Sequence, residues 1–448
     1  MQKSTIRKMF GRLAVASMIL AVGTSCSAAA PLGLDVRSEN RTILLPGPGD
    51  GTLQVQVIAP DLPHPADRPK LNMALVIDRS GSMGDARKLE YVKSAAHQLI
   101  DLMGNNDILS IVAYDHRVSV PFPARRVDGN RETLHRIIAG LFPGGQTFLS
   151  GGLEEGFRQT RSTRHNGYLS RVLLLSDGLA NVGVTRRDAL RNRAATMAEY
   201  GISVSTFGVG NHFDEELLAM TASGGGGNYR YLSDPEQIVA ALSSEFHMAS
   251  RTFASDVEIV IRLHRDCRFG SVVGREWRRE GDGYVIRLGD LSAGERRTLF
   301  ASLKVSGTEP GLREVGDVAV RYRDPVTGNT VTGPSQSVSL ELVRDEARYR
   351  EGFDRSVQEK KAVAQSGVMV QEAARLAEQG KKDQARELLG RAAAGLAAAP
   401  ASPAVREEMD RANEYREKLE TLKDMRSDEA KGAQKAVKYR SYEILNRQ

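Results

Sequence analysis

Met73-Ala74-Leu75-Val76-Ile77-Asp78-Arg79-Ser80-Gly81-Ser82-Met83 decides how the rest of this chain is read. An apolar run stops abruptly on an acid, and two serines follow at alternate positions. A buried strand that ends on Asp-x-Ser-x-Ser sets a carboxylate and two hydroxyls at its carboxyl end. In an open parallel sheet, ligands bind at that end. Donors that are all oxygen suit a hard divalent cation. For Asp78 alone, a strand-ending turn or helix cap is the commoner role, so further donors must come from elsewhere.

Two later stretches supply them. Gly144-Gly145-Gln146-Thr147 is a glycine-rich turn that ends on a threonine ahead of an expected helix. Leu173-Leu174-Leu175-Ser176-Asp177-Gly178 is a second apolar run that stops on an acid. If the two acid-tipped strands are neighbours, Asp78, Ser80, Ser82, Thr147 and Asp177 converge at one sheet edge. The glycines let the loops approach closely.

Around these stretches, from Leu71 to Ser250, strands alternate with helical patterns. Strands are expected at 71–78, 108–114, 118–122, 172–176, 203–209 and 229–232. Leu89, Val92, Ala96, Leu99 and Met103 recur at helical spacing and form one apolar stripe. Further helices are expected at 131–141, 149–159, 187–200, 215–222 and 235–250, with Asp214 and Asp234 placed as caps. This alternation predicts a doubly wound α/β layer. Gly224 to Gly227 has no following Lys-Ser/Thr and reads as a turn, not a phosphate loop.

After Ser250 the apolar period becomes two, as in Val257, Ile259, Ile261 and Leu263. Similar sets at 284–288, 299–305, 318–322 and 338–342 predict a small antiparallel β-sandwich. The isolated alternating segment Leu53 to Ile58 is expected to complete it, which makes the α/β layer an insertion in the sandwich. Pro60, Pro63, Pro65 and Pro69 form the linker between them. From Asp345 a helical tail follows. It contains a hairpin around Gly380, a break at 399–403, and a mixed-charge helix carrying Ala412, Tyr415, Leu419 and Leu422. The expected divisions are thus 1–30, 31–70, 71–250, 251–344 and 345–448.

The first thirty residues have the pattern of an export signal: basic residues, an apolar run from Leu13 to Val22, then small residues. That run is too short for a spanning helix, and no later stretch is apolar enough, so the mature chain is expected to lack a transmembrane helix. The expected destination is the periplasm or cell surface. Gly23-Thr24-Ser25-Cys26 resembles a lipoprotein processing site with Cys26 as the lipid anchor, although glycine departs from the usual aliphatic residue at position 23. Cys267 is the other cysteine of the two, so no disulfide framework exists; a small buried thiol on a strand is expected there. The formal charge is +6, and subtracting Lys3, Arg7, Lys8 and Arg12 of the signal leaves +2. No nucleic-acid partner is implied.

Taken together, Asp78-x-Ser80-x-Ser82, Thr147 and Asp177 resemble the full pattern of a metal-ion-dependent adhesion site. Residues 71–250 resemble a von Willebrand factor type A domain, including Phe207-Gly208-Val209-Gly210 and Asp214-Glu215-Glu216-Leu217 in its later strand and helix. The inserted arrangement is similar to bacterial exported type A proteins and, more distantly, to inter-alpha-trypsin inhibitor heavy chains and integrin β headpieces. The resemblance implies an octahedral Mg²⁺ or Mn²⁺ site on those five residues, with a Glu or Asp of a protein partner as the sixth ligand. It also implies that ligand capture couples to a shift of the domain's last helix, 235–250, which leads into the sandwich at Phe253. The expected function is protein binding without catalysis. Two alternatives stand beside it: a hydrolase using the same ion, with His116 as base, or a subunit of an ATPase-linked machine. No Gly-x-Ser-x-Gly, His-Glu-x-x-His or Cys/His pairing supports the hydrolase, and the export signal opposes the ATPase.

Overall fold

The computed structural model describes residues 31–61, 68–165, 167–234, 236–422, 424 and 427–446. The expected export signal, Cys26, Pro63, Pro65 and Pro235 lie outside the described residues.

Three strands come first: β1 (Gly33–Ser38), β2 (Thr42–Leu44) and β3 (Gly49–Ile58). The α/β layer follows as β4 (Lys70–Asp78), α1 (Lys88–Leu102), β5 (Ile108–Tyr114), β6 (Val118–Arg126), α2 (Arg131–Ala139), α3 (Leu149–Ser162) and β7 (Tyr168–Ser176). It continues through α4 (Arg187–Glu199), β8 (Ile202–Val209), α5 (Glu215–Gly224), β9 (Gly226–Leu232) and α6 (Gln237–Ser250). Its six strands lie in the order β6-β5-β4-β7-β8-β9. All neighbours run parallel except the β5–β6 pair.

β4 is buried on both faces, which is why its sequence is a continuous apolar run rather than an alternation. Its side chains feed two cores. Met73, Leu75 and Ile77 pack with α1, α2 and α6, whereas Ala74 and Val76 pack with α3, α4 and α5. Gly156 lets α3 press on β4, since a Cβ there would sit 2.5 Å from Val76 Cγ2. Asp214 caps α5 by accepting the Leu217 N–H. Asp234 does not cap α6. That helix starts at Gln237 with no side-chain cap, and Asp234 accepts the Gln237 N–H through its backbone oxygen instead.

The chain then builds β10 (Thr252–Leu263), β11 (Cys267–Val272), β12 (Arg278–Glu280), β13 (Gly283–Ser292), β14 (Arg296–Val305), β15 (Gly311–Arg323) and β16 (Thr330–Val343). One sheet has the order β1-β3-β14-β11 and the other β12-β13-β10-β15-β16-β2. β3 pairs along its whole length with β14, so a segment before the α/β layer is an interior strand of the sandwich. The insertion read from Leu53 to Ile58 is therefore present. β1, β2, β11 and β12 also join, beyond the alternating sets read from the sequence; the charged residues at 35 and 37 hide the period of β1, and β2 and β12 are three residues long. Cys267 is a free, buried thiol at the start of β11.

One buried cluster fastens the two layers together. Arg171, at the amino end of β7, donates to Glu245 Oε1 on α6 at 2.6 Å, to Asp290 Oδ2 on β13 at 2.5 Å and to Ser203 Oγ at 3.0 Å. The arginine and Glu245 are essentially without solvent exposure.

The tail comprises α7 (Glu346–Glu351), α8 (Arg355–Glu378), α9 (Lys382–Ala398), α10 (Pro403–Thr421) and α11 (Asp428–Asn446). Gly380, at φ +77°, turns α8 into α9. α8, α9 and α10 share a small core of Ala373, Ala377, Leu389, Tyr415 and Leu419. α11 then returns to the α/β layer. Tyr442 Oη accepts the Tyr229 N–H at 3.0 Å, and Lys435 Nζ donates to the Phe213 carbonyl at 2.8 Å.

Glu215 lies buried near Lys435 and Lys438 of α11. Burial pushes that carboxyl up to about 8 from 4.5, against the pull of Lys438 and Lys435. Folded chains hold this proton to about pH 8 while unfolded ones release it near 4.5, so stability falls as pH rises between those values. Glu215→Gln removes that slope. Its melting temperature, relative to the parent chain, is expected to climb from about pH 5 to pH 8; a difference that is flat over this range contradicts the assignment.

Candidate metal centre

β4 and β7 are hydrogen-bonded neighbours in parallel register, with Ile77 opposite Leu175. That register places Asp78 beside Ser176 and Asp177 at the carboxyl ends of the two strands. Asp78 is fully buried; its Oδ1 accepts the Ser80 N–H at 2.8 Å, and its Oδ2 accepts the Ser176 hydroxyl at 2.7 Å. Ser80 Oγ and Ser82 Oγ lie 3.2 Å apart, and the Ser82 hydroxyl donates to Asp177 Oδ1 at 2.8 Å. Four of the five residues singled out in the sequence thus form one connected cluster.

Thr147 reaches the same place from its own loop, directly ahead of α3. A Cβ built on Gly178 would meet Thr147 Oγ1 at 3.1 Å and Ser82 Oγ at 3.6 Å, so both hydroxyls border Gly178. Backbone hydrogen bonds lock the three loops. Gly81 N–H donates to the Gly145 carbonyl at 3.0 Å, and Gly144 N–H to the Arg79 carbonyl at 2.7 Å. Asn181 Oδ1 accepts the Thr147 N–H at 2.9 Å, while the Thr147 carbonyl accepts from Asn181 and Val182.

Two buried acids side by side carry an electrostatic cost. Burial pushes the Asp78 carboxyl up to about 6, the hydrogen bonds from Ser80 and Ser176 pull it back, and the charge of Asp177 adds to the rise. The cluster is therefore a pocket of negative charge best relieved by a cation. Among the described residues, no three His, Cys, Asp or Glu side chains gather into a metal cluster. An ion at this place would depend on hydroxyl oxygens as well as on two acids. Such a donor set fits Mg²⁺ or Mn²⁺ better than zinc, which takes nitrogen and sulfur.

Three participants were not legible beforehand. Ser176, read only as part of the strand end, holds Asp78. Asn181 fixes the Thr147 backbone. Lys88, which looks like the first polar residue of a helix, donates from Nζ to Asp177 Oδ2 at 2.6 Å and to the Ser82 carbonyl at 3.3 Å. His116 borders Gly145 of the threonine loop and is half exposed, with Nδ1 3.2 Å from Asp115 Oδ1. Arg79 holds the other Asp115 oxygen at 2.7 Å.

The comparisons with known proteins bear on the domain that carries this centre. The von Willebrand factor type A domain model matches residues 72–265, reaching past α6 into β10. The protein sll0103 of Synechocystis is 29% identical over 270 residues, covering 58% of this chain and 63% of its own length. YfbK of Escherichia coli K12 is 28% identical over 269 residues, 58% of this chain and 46% of its own length. The matches thus span between about half and two thirds of these relatives. A solved von Willebrand factor type A structure from Catenulispora acidiphila superposes with a TM-score of 0.74 at 16% identity, over 93% of this chain and 97% of that one; it speaks for the fold, helical tail included. The matched region, the sheet order and the acid-tipped strands agree: this chain carries a von Willebrand factor type A domain, a kind of domain that generally mediates protein–protein interaction.

Proposed function

We infer that this is an exported, Mg²⁺-dependent binding protein that captures an acidic side chain of a partner protein. The observation that carries the reading is the convergence of Ser80, Ser82 and Asp177, with Thr147 at Gly178, on the carboxyl edge of the sheet. Asp78, Ser80, Ser82, Thr147 and Asp177 would hold the ion, Mg²⁺ or Mn²⁺. When bound, the ion supplies an electrophilic position for an outside carboxylate. Asp78 and Ser176 orient the first loop, and Asn181 holds the threonine loop in register. Five protein donors leave one position of a six-coordinate ion for an outside anion.

No described helix is long and apolar enough to cross a membrane. Residues 1–30 would direct export to the periplasm or cell surface, with Cys26 as the site that would carry a lipid.

Retention of a partner from envelope extracts is expected in Mg²⁺, with release by EDTA. Thr147→Ala removes one neutral donor and should weaken Mg²⁺ affinity by about tenfold while leaving the fold intact. Retention that is indifferent to EDTA and to this substitution would sink the reading.

A further inference from the structure

Lys88 is in an unfavourable place for a lysine. It is the first residue of α1, where the helix dipole disfavours a cation, and its side chain is only 9% exposed. The chain reaches that place through strained backbone. Gly81–Arg87 is a pair of short helical turns merged across a kink, and the two residues before Lys88 are left-handed: Ala86 at φ 49° and Arg87 at φ 57°. Left-handed backbone is unfavourable for a residue with a Cβ, and strain of this kind persists where the surroundings over-determine it. What Lys88 gains is a 2.6 Å contact with Asp177 Oδ2 and one with the Ser82 carbonyl. The methylene stem is backed by Gly210, where a Cβ would lie 3.5 Å from Lys88 Cε.

We propose that Lys88 is a built-in cation that makes metal occupancy of this centre depend on capture of an anion; the proposal rests on the metal-binding reading above. Asp78, Asp177 and Lys88 together leave one net negative charge. A divalent ion then gives the loaded centre one net positive charge, which an incoming carboxylate cancels. Without Lys88 the loaded centre would be neutral, with no electrostatic demand for an anion. Lys88 therefore weakens the ion alone and strengthens the ion together with its ligand, which ties the two binding events. Because Lys88 shares Asp177 with the ion, it also positions that carboxylate, leaving Oδ1 on Ser82 and Oδ2 on the ammonium.

The test uses the mature chain and its Lys88→Met and Lys88→Arg variants, titrated calorimetrically with Mg²⁺ and, in parallel, with Tb³⁺ followed by luminescence. Lys88→Met is expected to bind Mg²⁺ about tenfold more tightly, and Tb³⁺ about thirtyfold, because the repulsion removed scales with the charge of the ion. Lys88→Arg keeps the charge and should stay within about threefold of the parent for both ions. Added acetate, used as the probe anion, should tighten Mg²⁺ binding in the parent and do so less in Lys88→Met. Equal Mg²⁺ affinity in parent and Lys88→Met, or the same gain for both ions, overturns the role of Lys88 and leaves the metal site standing. A parent chain that binds neither ion overturns the metal reading itself, and with it this one. If Lys88→Met fails to fold, the Lys88→Arg comparison and the acetate effect on the parent still decide.

Discussion

Replacing Arg171 with alanine is expected to cost this protein about 3–5 kcal/mol of stability, read as a lower urea midpoint with an unchanged slope. The arginine is the shared partner of Glu245 and Asp290. Removing it takes the arginine's charge and hydrogen bonds from two carboxylates in a region of little solvent, where losing one partner of a buried ion pair is costly. Ser205 and Asn228 also bond to Glu245, but they bring no positive charge. A triple change, Arg171→Met with Glu245→Gln and Asp290→Asn, removes all three charges together and should recover most of the loss. A cost below about 1 kcal/mol for Arg171→Ala would mean that the cluster is solvated and the argument fails.

The same cluster bears on movement. A shift of the last helix of the α/β layer, expected from the family resemblance, must carry Glu245 with it, because that residue lies near the carboxyl end of α6. Arg171, Ser205 and Asn228 hold Glu245 to β7, β8 and β9. Any such shift has to break a buried ion pair, or carry Asp290 and the sandwich along with it.

The second large effect concerns Asp78. The parent chain is expected to gain about 2.7 kcal/mol of stability from Mg²⁺ at a hundred times its dissociation constant. Asp78→Ala should gain nothing at the same concentration. Asp78 bonds to the first serine loop and to Ser176 at once, so its loss frees the loop that presents Ser80 and Ser82. A variant that keeps the full Mg²⁺ stabilisation would show that the ion binds elsewhere.

Much of this was written in the sequence, for physical reasons that can be named. The strand 108–114 has the bounds expected because polar residues stop its apolar run at both ends. The strand 172–176 begins four residues earlier than expected, since Arg171, a charged residue, is buried within it through partners 74 and 119 positions away. Pairs that distant leave no periodic trace. Lys88 is hidden for the same reason: Asp177 is 89 residues further on. α11 escaped notice because its buried face is built from Gln434, Lys435, Lys438, Ser441 and Tyr442 alongside Ala430, Ile444 and Leu445, and most of these residue types usually mark solvated surface. The five candidate ligands were legible because each sits where an apolar run or a glycine turn ends, and such ends are local features.

Diffraction from crystals grown with Mn²⁺, recorded at the manganese absorption edge, tests the central claim most directly. The account predicts one anomalous peak at the carboxyl ends of β4 and β7, about 2.0–2.3 Å from the hydroxyls of Ser80, Ser82 and Thr147. Full manganese occupancy at another place, or none at any concentration the crystals tolerate, would contradict it.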